Sequence, residues 1–342
     1  MSQTFLNTEQ IKSSIAKGTW VPNIYLTNMA IAQFQADEDY VADKIFPIVP
    51  VQLSSAHYYK FSKKDLARDN MQRKPQYGKV TPAIMGQSDD TYNCKVDQII
   101  VGIDQIEEIN YARTNATGAA DPRRSKVRFA VEQTKIHLDR MFSDGYFKTG
   151  VWGTEWTGKT TPPGSTEFYK FTDDNSDPVQ LIDGLCVSIK RNGRRKPNRL
   201  ALGAETFVAI KNNPAVLERI KFGGSSANPA YVNEKTLAEL FGVEKVVVLN
   251  STYNAAGMEG EDMQFICDSK AALLCYASNS PAIDEPSAGY TFSWDMLGGN
   301  QYIAMSQWLG ESGTHSEFVE GLMAYDMKKT GDDLAVFLKD CV

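Results

Sequence analysis

Apolar residues in the middle of the chain recur every three or four positions, a spacing that predicts a long amphipathic helix. We expect it at 121–145, opened by Asp121-Pro122 and ended by Gly145. About 24 residues would make it roughly 36 Å long. Its apolar stripe comprises Val127, Val131, Thr134, Leu138, Met141 and Phe142. Arg128–Glu132 and Lys135–Asp139 are expected to form ion pairs on the solvent-facing side.

The same spacing predicts a second helix, which opens at Asp177-Pro178 and stops at Asn192-Gly193. Its stripe comprises Val179, Ile182, Leu185, Cys186 and Ile189. Shorter helices are predicted at 204–212 and 215–222, and after the capping residue Asn233. Strands are predicted at 199–203, 246–250 and 263–276, and apolar and polar residues alternate, as in strands, at 290–296, 301–309, 318–327 and 334–341.

Alternation also marks residues 51–61 and 92–103, which suggests the two arms of one hairpin. The stretch between them, 63–90, is dense in charge and poor in large apolar residues. An arm of about 20 extended residues would reach about 65 Å at roughly 3.3 Å per residue. A compact globule of this length has a radius of gyration of about 20 Å. We therefore predict a polar hairpin that projects beyond its own subunit, with a disordered insertion as the alternative.

Charge and cysteine content exclude several classes of protein. The chain has 342 residues, a net charge of −6 and a pI of about 5.3, unlike a strongly basic nucleic-acid binder. An acidic protein can still enclose DNA, because like charges keep the polymer from sticking to the wall. The sequence starts without a secretory signal, and no apolar run approaches the length of a membrane helix. Five scattered cysteines favour free thiols in a reducing compartment over disulfides or zinc.

One catalytic pattern occurs, because residues 153–160 match the phosphate-binding motif GxxxxGK[ST] with Lys159 and Thr160 at its end. Pro162 and Pro163 follow at once and would block the helix that such a loop requires. No buried strand is predicted before it, so we interpret the pattern as a surface loop. Residues 173–177 imitate a calcium loop, but Pro178 and Gly184 replace the required Gly and Glu. A helix-capping turn is the expected structure there.

Two charged segments are candidates for contacts with other molecules. In the hairpin, mixed charges suit salt bridges between subunits, although a solvated loop is the alternative. The candidate contact residues are Lys63, Lys64, Asp65, Arg68, Asp69, Arg73 and Lys74. Residues 191–199 hold five basic side chains, which could contact phosphate, a neighbour's carboxylates, or only solvent beyond a helix C-terminus. The three histidines are far apart in sequence and fit no catalytic signature.

The segment 199–254 closely resembles the axial-domain core of tailed-bacteriophage major capsid proteins. Other pieces of that family's pattern follow in order across nearly the whole chain. They are 42–51, 58–61 with 63–74, the helix from Asp121, 237–248 and 289–294. The order of the pieces carries the resemblance, because no single motif is diagnostic.

The resemblance implies an α+β fold of the Hong Kong ninety-seven type, which assembles as pentamers and hexamers of an icosahedral shell around double-stranded DNA. The expected parts are an N-terminal arm at 1–50, an extended hairpin at 51–105, a peripheral domain with a spine helix at 106–178, an axial domain at 179–288, and C-terminal strands of the peripheral domain at 289–342. Expected partners are other copies of the chain, portal, decoration or scaffold proteins, and packaged DNA without sequence-specific contact.

The family also implies no enzyme activity, no cofactor and no metal, with assembly in the host cytoplasm and a final location in the virion. Three alternatives stay open from the sequence. They are an encapsulin-type compartment shell, another virion component such as a tail tube or decoration subunit, and a nucleotide-binding enzyme that uses Lys159 and Thr160.

Overall fold

The computed structural model describes residues 40–61, 67–84, 86–106, 109, 122–221, 232–257, 260–280, 285–295 and 303–342. This part of the chain contains helices, a five-stranded sheet, a six-stranded sheet and two two-stranded sheets. The mixed content confirms the predicted α+β class. Most of the predicted N-terminal arm, 1–39, and the predicted cap Asp121 lie outside the described residues.

The helices are α1 (Ala42–Ile45), α2 (Pro122–Tyr146), α3 (Pro178–Gly193), α4 (Ala204–Asn212), α5 (Pro214–Lys221) and α6 (Glu234–Phe241). A 3-10 turn spans Asp332–Leu334. The strands are β1 (Ile48–Val51), β2 (Ser55–Phe61), β3 (Gln87–Asn93), β4 (Lys95–Asp104), β5 (Glu155–Lys159), β6 (Glu167–Tyr169), β7 (Arg199–Gly203), β8 (Lys245–Leu249), β9 (Thr252–Asn254), β10 (Met263–Phe265), β11 (Ala272–Cys275), β12 (Gly289–Trp294), β13 (Ala304–Leu309), β14 (Ser316–Lys329) and β15 (Ala335–Lys339).

The five-stranded sheet is organised around the long strand β14, which pairs antiparallel with β4, β12 and β13, while β1 adds parallel to β12. The long helix α2 packs on this sheet, as its apolar spacing predicts. Val127, Val131, Leu138 and Phe142 are buried in the shared core. Met141 was expected in the same stripe but is 45% exposed.

The six-stranded sheet has the order β6-β5-β15-β11-β7-β8, and helices α3 to α6 contribute to the core on it. The predicted helix signals are confirmed here. Asp177 accepts hydrogen bonds from the N–H groups of Val179 and Gln180, and Asn233 accepts one from Thr236. All five residues of the α3 stripe are buried.

The strand pairing crosses the domain limits expected from the sequence. β5 and β6 fall within 106–178 and β15 within 289–342, yet all three join β7, β8 and β11 in one sheet. Within 51–105, only β2 and β3 pair as a hairpin, because β4 pairs along ten residues with β14. Local alternation predicts that a strand exists but contains no information on its distant partner.

The prediction that Lys135 and Asp139 form an ion pair facing solvent is wrong, because both side chains are buried. The carboxylate of Asp139 accepts hydrogen bonds from the backbone N–H of Ala42 at 2.9 Å and of Val41 at 3.2 Å. Asp139 of α2 therefore holds the first residues of α1 in place through these hydrogen bonds. Burial raises the pKa of Asp139 to about 6. The amine of Lys135 lies 5.3 Å from the ring centroid of Tyr40.

Candidate self-assembly surface

The hairpin formed by β2 and β3 is anchored at its base by aromatic packing. Its antiparallel register runs from Ser55 opposite Asn93 to Phe61 opposite Gln87. Tyr58 and Tyr92 are each 7% exposed, and both rings contact Phe292 of β12, with centroids 5.3 and 4.7 Å away. This contact joins the base of the hairpin firmly to the five-stranded sheet.

Polar contacts reinforce the same base. Asp90 on β3 accepts hydrogen bonds from Lys60 at 2.7 Å and from the hydroxyl of Tyr58 at 3.1 Å. The Lys60 contact holds the pKa of Asp90 below its usual value, while burial raises the pKa of Tyr58. The backbone N–H of Asn93 donates to Asp326 of β14 at 2.8 Å. The direction in which the hairpin leaves the sheet is thus fixed by several independent contacts.

Beyond the paired strands, residues 67–84 form an exposed stretch that we call the hairpin tip. A turn closes it where Gly78 donates its N–H to the carbonyl of Pro75 at 3.1 Å, next to Tyr77 with a φ of 59°. Four large apolar side chains face solvent here: Met71 (90% exposed), Tyr77 (97%), Val80 (37%) and Ile84 (84%). Such exposure is typical of a surface that another molecule covers.

The structure places the charged candidate residues only in part. Arg68, Asp69, Arg73 and Lys74 are exposed on the hairpin tip, and Asp69 accepts a hydrogen bond from the N–H of Met71. Lys63, Lys64 and Asp65 lie outside the described residues. Their contact with a neighbouring subunit stays a prediction, because the structure contains a single chain.

The apolar residues of the tip were not predicted from the sequence, because 63–90 as a whole is rich in charge and poor in large apolar side chains. A signal was available, since Met71, Tyr77, Val80 and Ile84 stand in a segment with neither helical nor strand periodicity. Apolar residues without a period have no core of their own to pack in. They therefore indicate a surface that becomes buried only on association.

A second apolar surface lies on the five-stranded sheet. Along β4, Ile99, Val101 and Ile103 point toward the core, so the alternate residues Val96 and Ile100 face outward and are 49% and 50% exposed. Strand register places Trp308 and Phe318 on that same face, with their rings stacked at 5.8 Å. We call this surface the open sheet face.

The phosphate-loop pattern forms a strand, so its interpretation as a surface loop is wrong. Residues 155–159 are β5, paired with β15 on one side and with β6 on the other. A Cβ on Gly158 would lie 2.0 Å from the carbonyl oxygen of Asp340, which leaves no room for a phosphate. Lys159 is bound to Glu167 at 2.7 Å. The pattern therefore lacks the loop and helix start that cradle a nucleotide.

The other candidate catalytic and metal-binding side chains are far apart in the fold. His57 lies 3.7 Å from Asp89 and His137 lies 3.4 Å from Asp97, on separate parts of the fold. Among the described residues, no three His, Cys, Asp or Glu side chains converge on a metal position. An open cavity of about 430 Å³ beside α4 is lined mainly by aliphatic residues, Asn, Asp174 and Glu205. No helix in the described part of the chain combines the length and hydropathy that a bilayer crossing requires.

Sequence comparison relates the chain to a phage protein. It is 24% identical over 230 residues to the major capsid protein of Burkholderia phage BcepMu, covering 67% of this chain and 68% of that protein. No family model matches the sequence.

The fold is shared with proteins of phage and of particle shells. A phage-related protein from Bordetella bronchiseptica superposes with a TM-score of 0.70 at 17% identity, covering 94% of this chain and 98% of its own. The capsid of cyanophage P-SCSP1u gives a TM-score of 0.52 at 12% identity, with 86% of each chain covered. The SrpI encapsulin of Synechococcus elongatus gives 0.51 at 10% identity, covering 99% and 91%. These likenesses confirm the predicted capsid-type fold.

Proposed function

We propose that this chain, a sequence relative of a phage major capsid protein with the fold of phage capsids, is a shell subunit that assembles with copies of itself. The observation that carries the proposal is the hairpin tip, which exposes Met71, Tyr77 and Ile84 on a base held by Tyr58, Tyr92 and Phe292. A rigid arm with an apolar end stabilises a contact outside its own subunit.

The open sheet face of a neighbouring copy is the surface that the tip contacts in this proposal. Both surfaces are apolar and exposed in the single chain, so burying one against the other removes both from water. The charges agree, because the described tip carries four cations and one carboxylate. The sheet face is bordered by Asp104 and Glu311.

The assembled particle in this proposal is an icosahedral shell of pentamers and hexamers that encloses double-stranded DNA inside the virion, after assembly in the host cytoplasm. The subunit's own contribution is structural and not enzymatic. The net charge of −6 supports an inner wall that does not adhere to DNA. Portal, decoration or scaffold proteins would complete the particle.

The test removes the tip and leaves its base. We expect a chain in which 67–84 is replaced by a short Gly-Ser turn to remain folded but to form no stable shells, as measured by circular dichroism and electron microscopy. A finer variant changes Met71, Tyr77 and Ile84 to Ser and should have the same effect. The matched control changes the exposed polar residues Gln72, Gln76 and Thr81 to Ser in the same loop.

Shells formed normally by the apolar triple variant would contradict the role of the tip. Unfolding of the deletion variant would show that the segment belongs to the core. The likeness to the encapsulin fold supports a second candidate, a cellular compartment shell. Nuclease-protected DNA inside purified particles favours the capsid, whereas a packaged enzyme favours the compartment.

A further inference from the structure

The six-stranded sheet and its helices carry opposite charge at their two ends. β7 and β8 are parallel, so their first residues, Arg199 and Lys245, lie at one end and their last, Gly203 and Leu249, at the other. We propose that the basic end of one copy binds the acidic end of the next, which closes copies of the chain into rings. This inference rests on the proposed function and identifies the contact that builds its rings.

The basic end is formed where α3 leads into β7. Its seven exposed or half-exposed cations are Lys190, Arg191, Arg194, Arg195, Lys196, Arg199 and Lys245. Three carboxylates are near them: Glu244, Glu285 and Asp333. Glu285 lies 3.6 Å from Arg195, and Lys196 caps α6 through the carbonyl of Gly242 at 2.7 Å. Cations therefore outnumber carboxylates at this end.

The acidic end is formed by the loop after β8, the turn before β11 and the residue that follows β15. Its five exposed carboxylates are Glu205, Glu261, Asp262, Asp268 and Asp340. Backbone hydrogen bonds bring these segments together, since Gly203 donates to Ala271 at 2.9 Å and Cys341 donates to Lys270 at 2.8 Å. The cations beside these carboxylates are Lys170, Lys270 and Lys339, so negative charge is in excess.

The hairpin of β9 and β10 presents part of this acidic end as a rigid projection. Asn254 accepts hydrogen bonds from the N–H groups of Ala256 and Asp262 and donates to the carbonyls of Gly257 and Gly260. A loop fixed in this way loses little entropy on binding. Arg140, which stacks on Tyr253 of the hairpin, is itself paired with Asp144.

Opposite charges on opposite ends determine how copies can pair. A two-fold contact between identical ends would bring like charges together, which is unfavourable. A head-to-tail contact brings a basic end against an acidic end, and its repetition about one axis gives a closed ring. Because the groups are exposed, the contact should weaken as added salt shortens the screening length from about 10 Å at 0.1 M to about 3 Å at 1 M.

The test reverses each end separately. One variant carries Lys190→Glu and Arg191→Glu, and the other carries Glu261→Lys and Asp262→Lys. Each variant places its reversed pair against charges of the same sign at the contact, so we expect folded subunits that form neither rings nor shells in 0.1 M salt. The control Asp183→Lys with Glu218→Lys changes the net charge by the same amount as the second variant, but away from both ends, and should assemble as wild type. Native mass spectrometry, electron microscopy and thermal melting provide the readouts.

Mixing the two variants tests whether rings with an even number of subunits form in preference to rings with an odd number. Alternating copies again place opposite charges at every contact, but only an even-numbered ring can alternate throughout. We expect the mixture to recover hexamers without pentamers or closed shells, and a chain with all four changes to recover both ring types. Normal shells from either single-end variant, or no hexamers from the mixture, would overturn this inference and leave the proposed function intact. A wild-type chain without rings or shells would overturn both.

Discussion

The buried carboxylate of Asp139 should make the stability of the subunit depend on pH in a defined direction. Its pKa is raised by burial to about 6, against 3.8 for an exposed aspartate. The folded state therefore holds a proton that the unfolded chain releases between these two values. A shift of about two units corresponds to about 3 kcal/mol. This contribution to stability is complete below about pH 4 and is lost as the pH rises through 6.

The variant Asp139→Asn should remove that dependence, because its amide cannot ionise but still offers an oxygen to the N–H of Ala42. Urea unfolding of both proteins at pH 4.5 and pH 7.5 gives the comparison. We expect the variant to gain stability relative to wild type as the pH is raised, by about 2–3 kcal/mol. The difference between the free energies of unfolding of the two proteins removes the contribution of Asp43, whose pKa is also raised by burial.

The control Asp139→Ala tests the hydrogen bonds and not the charge. It leaves the N–H groups of Val41 and Ala42 without their acceptor, which should cost about 1–3 kcal/mol at either pH. The reasoning is refuted if wild type and Asp139→Asn differ in free energy of unfolding by the same amount at pH 4.5 and at pH 7.5. Burial of the ionised carboxylate would then not limit stability.

Three further predictions concern the hairpin base, the six-stranded sheet and the thiols. Phe292→Ala should lower the free energy of unfolding by about 3–5 kcal/mol and speed proteolysis of the hairpin, because both tyrosine rings lose their contact. Gly158→Ala should lower the melting temperature because its Cβ meets a backbone oxygen, whereas Gly184→Ala, with no atom within 4 Å, should not. At pH 8 an Ellman assay should find the five thiols unreactive until urea is added, since all are buried and burial raises the pKa of Cys94 to about 11 and of Cys275 to about 12.

The helices were predictable because their signals are local. Asp177, Asn233 and the stripe of α3 act within a few residues, so the sequence shows where those helices begin and which face is buried. Asp139 was not predictable in this way. Its position four residues after Lys135 is typical of an exposed ion pair, and its burial depends on α1, almost a hundred residues earlier in the chain.

The candidate site was predictable in location but not in chemistry. Alternation around 51–61 and 92–103 indicated a hairpin, but the arm that pairs with β2 is β3, and residues 95–104 pair with β14 instead. The charge pattern pointed to Arg73 and Lys74 as contact residues. Met71 and Tyr77 became candidates only when the structure showed that both are exposed. Strand partners such as β5 with β15 depend on long-range register, which no local pattern encodes.

The position of β15 has a consequence for the order of events during synthesis. This strand lies between β5 and β11, so it joins two parts of the six-stranded sheet that are otherwise unpaired with each other. Its partner β5 is made about 180 residues earlier, which at roughly 5–20 residues per second means a wait of about 10–35 seconds. A nascent chain therefore cannot complete the sheet that bears the charged ends until residue 339 has left the ribosome.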